Sequence, residues 1–277
     1  MTESDQWRIN DLDLDAYLAR LGLPAEAPTR DYLDSLHEAH LHAFTFDNLD
    51  VLLNQHPGVA LKSVQEKFVG RGRGGYCFEH SVLFGAALQR LGYNVVRRLG
   101  RVGDPTQTAR THLVIEVSLD GQRLLADPGF GFSIRRPIPL VDEAQDTYRG
   151  ATHRVRRSAE AGQIHWELQR LRESGWERMH TTDELTVYPA DVDSGHHYTS
   201  THPESVFQNQ LVVARYLADD RHVTLTQHAI TIRKPEQGTA HRELTEQELD
   251  DWLARLDVRL TADELDRLHR RIAALPS

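Results

Sequence analysis

The feature that most restricts the fold is a change of hydrophobic period at Gly92. Ahead of it apolar residues recur at helical spacing; behind it they alternate. Residues 11–22 put Leu14, Tyr17, Leu18 and Leu21 on one face before Gly22 and Pro24, and a second helix starting near Thr29 turns Tyr32, Leu33, Leu36 and Leu41 inward. Residues 44–49 break the period and read as a loop or bend, and the capping-box spacing of Ser63 and Glu66 predicts a short third helix. Beyond Gly92, residues 94–102, 111–119, 122–127, 152–157, 163–171 and 176–181 read as strands, which predicts an antiparallel small barrel or curved sheet. Residues 191–203 are polar and read as a loop, 205–217 fit helix or strand, and 222–232 alternate again. Thr245 with Glu248 and Thr261 with Glu264 are further capping boxes, each opening a helix. The pattern is that of an α+β chain.

Between the third helix and the strands lies Arg71-Gly72-Arg73-Gly74-Gly75-Tyr76-Cys77-Phe78-Glu79-His80, which carries the only cysteine of the 277 residues. The three glycines permit backbone angles closed to other residues, and from Phe78 the positions Val82, Leu83, Ala86, Ala87, Leu88 and Leu91 recur at helical spacing. Cys77 is therefore expected at a helix N-terminus, where unpaired amides and the positive dipole end favour a nucleophilic thiolate. Outside such a setting a lone cysteine reads as a small buried hydrophobe.

Composition narrows the function. Hydrophobic residues at 39% and charged residues at 26% describe a globular protein, and the length prior suggests two domains. One cysteine rules out an intramolecular disulfide and fits a reducing compartment. Residues 1–5 are acidic with no apolar run behind them, so the sequence predicts no signal peptide, no membrane span and a cytoplasmic location. A formal net charge of -9 argues against general nucleic-acid binding. His37, His40 and His42 lack the His-Glu-x-x-His spacing, and His196, His197 and His202 have no thiol partner, so no metal is expected. Arg97, Arg98 and Arg101 form a basic cluster that reads as a solvated face, with a weaker reading as a phosphate contact.

Asp120-Gly121 predicts a two-residue type I′ hairpin. If Leu119 pairs with Gln122, Val114 stands opposite Asp127, and His112 becomes the diagonal neighbour of Asp127 on the same face. A one-residue slip would separate them. A thiol nucleophile needs such a pair: the aspartate fixes the imidazole tautomer and stabilises its charged form, and the imidazole handles the protons of the thiol and of the incoming acceptor. Sequence spacing alone does not bring Cys77 to His112.

At these residues the chain resembles the arylamine N-acetyltransferases. Their Arg-Gly-Gly-Tyr-Cys-Phe/Tyr-Glu is matched at 73–79, Thr-His-Leu-Val at 111–114, the aspartate block at Asp127-Pro128-Gly129-Phe130-Gly131, and Ser-Thr-His-Pro-x-Ser-x-Phe at 200–207. The usual Pro-Phe-Glu-Asn-Leu stands here as Thr45-Phe46-Asp47-Asn48-Leu49, and Pro128 replaces a small aliphatic residue.

The resemblance implies three parts around a cysteine-protease-like catalytic core: a helical domain (1–92) carrying the nucleophile, an antiparallel β-barrel (93–190) carrying His112 and Asp127, and an α/β lid (191–277). It implies ping-pong chemistry in which Cys77 takes an acetyl group from acetyl-CoA as a thioester and passes it to an arylamine or arylhydrazine. It implies Thr111, Gly129, Gly131 and Phe207 on the cofactor side, and Phe46, Phe78 and Phe130 lining the acceptor pocket. Two other readings stay open, an amide synthase releasing a polyketide acyl chain and a cysteine hydrolase. The physiological acceptor, the acyl-chain preference and the oligomeric state are not encoded legibly.

Overall fold

The computed structural model describes residues 6–160, 162–234 and 238–275. Helices Leu14–Leu21 and Arg30–Ala43 begin where Asp13 and Thr29 accept the amides of Ala16 and Tyr32. Both pack towards helix Cys77–Arg90, which is buried from Cys77 through Leu88. Tyr17, Leu33, Phe44 and Phe68 cover it from one side, and Leu99, Leu113, Ile115 and Leu124 from the other. A helix surrounded in this way needs no polar face. The Ser63 capping box does not open a helix: that helix runs Leu61–Gln65 from Ala60 and continues as a π turn over Glu66–Gly70, leaving Ser63 inside it.

The expected bend at 44–49 holds a short strand, β1 (Phe46–Asp47). Strands β2 (Asn94–Val102), β3 (His112–Leu119), β4 (Gln122–Ala126), β5 (Ile138–Pro139), β6 (Gln145–Tyr148), β7 (Ala151–Glu160), β8 (Gln163–Arg172) and β9 (Gly175–Asp183) form one antiparallel sheet in the order β5-β4-β3-β2-β9-β8-β7-β6. It curls almost shut, since its two edge strands β5 and β6 follow each other closely in the chain; between them the Glu143 amide donates to the Val155 carbonyl and the Val155 amide to that of Ala144, extending the β6–β7 pairing back towards β5. Val114, Leu125, Ile134, Val155, Trp166, Leu168 and Met179 fill the interior.

A second sheet, β1-β10-β11-β12-β13, draws on β10 (Val213–Tyr216), β11 (His222–Leu225), β12 (Ala229–Lys234) and β13 (Gly238–Glu243). The alternating stretch at 222–232 is thus two strands, and 205–217 contains both a short helix, Val206–Asn209, and β10. The polar segment read as a loop is a helix, Pro189–Thr201. Proline at its first position and Asp191 accepting the Tyr188 amide at 2.8 Å start it. It lies on helix Cys77–Arg90 at Gly195, where a Cβ would stand 2.8 Å from the Phe78 ring, so a close contact rather than an apolar stripe holds it.

Helices Glu246–Arg255 and Ala262–Ala273 cover the back of the second sheet through Leu249, Leu253, Leu256 and Leu268. They also reach the turn ahead of Cys77. Glu264 accepts from Arg73 at 2.9 Å and from Gln55 at 2.6 Å, and Arg267 donates to the Leu53 carbonyl at 2.5 Å. Among the described residues no helix is long and apolar enough to cross a membrane.

Candidate active site

Cys77 is the first residue of its helix and 4% exposed. Beneath it lies a buried ionic cluster. Glu79 accepts the Tyr76 amide at 3.1 Å, Lys67 at 2.8 Å and stands 3.1 Å from His56; Lys67 also meets Asp50 at 3.1 Å, and Arg73 meets Asp50 at 2.6 Å. Burial would raise the Glu79 carboxyl, but Lys67 and His56 hold it down to about 2. Of the three glycines only Gly72 has a positive φ, 62°. The other two are required for close approach: a Cβ would fall 2.1 Å from the Thr45 carbonyl at Gly74 and 2.1 Å from the Glu79 carboxylate at Gly75.

The hairpin turns as its sequence predicts, with φ of 51° at Asp120 and 76° at Gly121, and pairs Leu119 with Gln122 and Ile115 with Ala126. That register brings His112 Nε2 to 2.9 Å from Asp127 Oδ2, both side chains buried. Ser81 donates to the Leu113 carbonyl at 2.6 Å, tying helix Cys77–Arg90 to β3, and Cys77 Sγ stands 3.5 Å from the Thr111 carbonyl. Burial disfavours a charged His112, but the Asp127 carboxylate and the Cys77 thiol beside it reverse this and raise its pKa. Asp127 is likewise pushed up by burial, and His112 and His180 bring it below the ordinary carboxylate range. Donation from Nε2 to a carboxylate leaves Nδ1 of His112 for the thiol proton.

Two further histidines frame the aspartate. His180 Nε2 lies 3.1 Å from the same Oδ2, and His37 Nε2 accepts the Asp127 amide at 3.2 Å. Burial lowers both imidazoles, so they stay neutral. His37 was visible only as one of a helical cluster, and His180 carried no local signal. Its neighbour across the sheet is Val102 on β2, whose Gly100 pairs with His112. That register between distant strands is absent from the sequence pattern.

The loop after Asp127 closes over Cys77. A Cβ on Gly129 would stand 2.9 Å from the Cys77 carbonyl, and one on Gly131, with φ 81°, would stand 3.4 Å from the Phe46 ring. The Phe130 ring meets His112 edge-on with centroids 5.3 Å apart, and Phe207 lies 6.1 Å from Phe46. Thr111, Gly129 and Phe130 thus touch the Cys77–His112–Asp127 group, while Gly131, Phe46 and Phe207 gather at the turn ahead of it, Phe46 bridging Gly75 and Phe207 packing on Tyr76. Phe78 does not join them. It has no exposed surface and fills the space between Tyr76 and the helix at Gly195.

The basic cluster read as solvated is engaged throughout. Arg97 is buried with its guanidinium 4.1 Å from the Trp7 ring, Arg98 pairs with Glu116 at 2.9 Å, and Arg101 donates to the Thr108 carbonyl. Two groups of metal-ligand type occur among the described residues. His112, Asp127 and His180 are joined to one another, and Glu38, His42 and Asp220 are gathered around Arg135.

Residues 29–264 match a family described as N-acetyltransferase. The chain is 33% identical over 223 residues to an arylamine N-acetyltransferase of Escherichia coli, spanning 79% of this chain and 78% of that protein. The solved structure of the arylamine N-acetyltransferase from Mycobacterium abscessus superposes with a TM-score of 0.90 at 33% identity, covering 99% of each chain. That of Mycobacterium marinum in complex with CoA superposes with a TM-score of 0.85 at 32% identity, covering 94% of this chain and 98% of that one. Neither the amide-synthase nor the hydrolase reading gains support from these matches. With the four sequence blocks in order and the whole fold shared, the chain belongs to the arylamine N-acetyltransferase family.

Proposed function

We propose that Cys77, His112 and Asp127 are the catalytic triad through which this chain carries out its family's reaction, acetyl transfer from acetyl-CoA to an arylamine or arylhydrazine. The observation that carries the assignment is the 2.9 Å His112–Asp127 contact beside a cysteine at a helix N-terminus. Cys77 sulfur attacks the thioester carbonyl, amides at the helix N-terminus stabilise the oxyanion, and CoA leaves as its thiol with the proton held by His112. The arylamine nitrogen then attacks the acetyl-cysteine carbonyl, His112 takes the amine proton, and Cys77 is released. One thioester replaces another, so little of the acyl group's reactivity is spent.

His180 acts as a positioning residue, supporting beside His112 the same Asp127 oxygen, with the two imidazole centroids 5.0 Å apart. Phe46 and Phe130 offer flat apolar walls for an aromatic acceptor, and Thr111, Gly129, Gly131 and Phe207 border the donor's thioester end. Phe78 stands behind this wall. The chain divides into a helical part, a barrel and a lid, with the second boundary moved from 190 to the start of helix Pro189–Thr201, and the triad forms a cysteine-protease-like core where they meet. A lone thiol suits a cytoplasmic setting.

The test is intact mass after mixing with acetyl-CoA and no amine, followed by peptide mapping. One acetyl group on Cys77, lost when a simple arylamine is added, is the expected result. An unmodified Cys77 that still reacts with an alkylating reagent would refute acetyl-CoA as the donor.

A further inference from the structure

Helix Pro189–Thr201 meets the Cys77 turn through two consecutive residues. A Cβ on Gly195 would stand 2.8 Å from the Phe78 ring and 3.4 Å from the Arg110 carbonyl, and His196 Nδ1 is hydrogen-bonded to the Tyr76 phenol. Tyr76 and Phe78 are the residues on either side of Cys77, and Arg110 precedes Thr111, whose carbonyl lies 3.5 Å from the Cys77 sulfur. The buried residues of the helix are Val192, Gly195 and Thr199. Little apolar surface holds it, so the bond to Tyr76 is a polar anchor at the point where the helix meets the site.

Tyr76 is held at both ends. It has no exposed surface, and its ring packs against His56 and Phe207 at 5.3 Å and against Phe78 at 5.8 Å. Its amide donates to Glu79 Oε2 at 3.1 Å. The same oxygen stands 3.1 Å from His56 Nε2, and His56 Nδ1 accepts the Gly58 amide at 3.1 Å, which leaves the imidazole proton on the nitrogen that faces Glu79. The His56 and His196 rings lie 4.5 Å apart, so the support of the amide end touches the support of the phenol end. Burial pushes the phenol well above its ordinary pKa, and burial with the neighbouring His56 pushes His196 down to about 4. The phenol therefore keeps its proton and donates it to a neutral imidazole. Without that acceptor a buried hydroxyl would stand unsatisfied.

Tyr76 is also the residue from which the Cys77 helix starts. Its carbonyl accepts the amides of Glu79 and His80 at 3.0 and 3.2 Å, and its extended backbone, with φ -115° and ψ -170°, sets the direction in which Cys77 leaves. A rotation at Tyr76 carries the Cys77 sulfur away from β3 and His112.

We propose that His196 is a positioning residue for Cys77, acting through the Tyr76 phenol to hold the first turn of the Cys77 helix against His112. The assignment rests on Cys77 and His112 working as a pair in acetyl transfer, and adds what fixes their separation.

The test follows steady-state transfer and, separately, the pH profile of Cys77 alkylation by iodoacetamide. In His196→Phe kcat is expected to fall about five- to tenfold, the effect of one lost hydrogen bond, with less than a twofold change in either KM and with the alkylation profile displaced to higher pH. His196→Asn sets an amide oxygen where Nδ1 stood and should recover most of both. Tyr76→Phe keeps the ring packing and removes the bond from its other end, so it reports on the contact even if His196→Phe disturbs the helix; the same loss is expected. The double variant, Tyr76→Phe with His196→Phe, should lose no more than either single one. An unmoved alkylation profile, a loss that His196→Asn fails to recover, or losses that add in the double variant would overturn the assignment. A wild-type protein that acetyl-CoA does not acetylate would refute the acetyl-transfer reading itself, while the alkylation profiles would still decide the role of His196.

Discussion

Acidification should unfold this protein abruptly, because its core is built on neutral histidines. His37, His80 and His153 are pushed down to about 4 by burial and His222 to about 3, and His40 is held well below its ordinary value. Three of them depend on the neutral form. His80 Nε2 donates to the Thr45 and Gly75 carbonyls, so its Nδ1 accepts from His40 Nε2 at 2.9 Å, and His40 Nδ1 accepts from the Tyr17 hydroxyl at 2.8 Å. His37 must keep Nε2 bare to accept the Asp127 amide. An unfolded imidazole takes up a proton near pH 6.5. A native pKa below the unfolded one means that unfolding consumes protons between about pH 6.5 and 4, and stability falls as pH falls through that window. Five such groups give a slope of roughly 7 kcal/mol per pH unit, against a total stability on the order of 5–15 kcal/mol. His112 does not share the effect. Its raised pKa leaves it charged in both states below about 6.5, and its contribution fades only at alkaline pH. Urea midpoints followed by tryptophan fluorescence from pH 8 to 5 should be flat down to about 6.5 and then drop, with loss of the fold between about pH 5.5 and 4.5. A midpoint unchanged between pH 6.5 and 5 would refute the reasoning.

Two substitutions probe the triad's supports. His180→Phe removes a donor beside a buried carboxylate and should slow transfer about 10- to 100-fold and shift the pH profile of Cys77 alkylation, whereas His180→Gln should recover most of both; an unshifted profile in the Phe variant would reduce His180 to packing. Gly129→Ala forces a Cβ to within 3.0 Å of the Cys77 backbone, so the Asp127 loop must retreat; a stability cost of about 1–3 kcal/mol and a far larger loss of kcat are expected from thermal melts and steady-state rates.

The hairpin was legible because its register is set locally, by two residues of positive φ at Asp120 and Gly121, and the alternation then carries His112 to Asp127 without further information. The nucleophile helix was legible for the same reason, since its start lies within the glycine turn. His180 was not, because its place depends on how β9 lies against β2, about eighty residues earlier in the chain, with no turn to fix it. Helix Pro189–Thr201 was missed because it presents no apolar period; Pro189 and Asp191 were the available signals. Residues Phe46 and Asp47 read as a bend since their strand partner, β10, comes from the far end of the chain.

The Arg73–Glu264 pair links residues 191 positions apart. A ribosome therefore delivers the cysteine turn long before the helix that braces it. Through most of synthesis Arg73 and Asp50 can meet, but the brace from Glu264 and the anchoring of Arg267 on the Leu53 carbonyl are still missing. The emerging polypeptide thus carries Cys77 on an unfinished support, which is completed only when helix Ala262–Ala273 docks. Support of the cysteine turn is thus coupled by geometry to a helix far downstream in the chain.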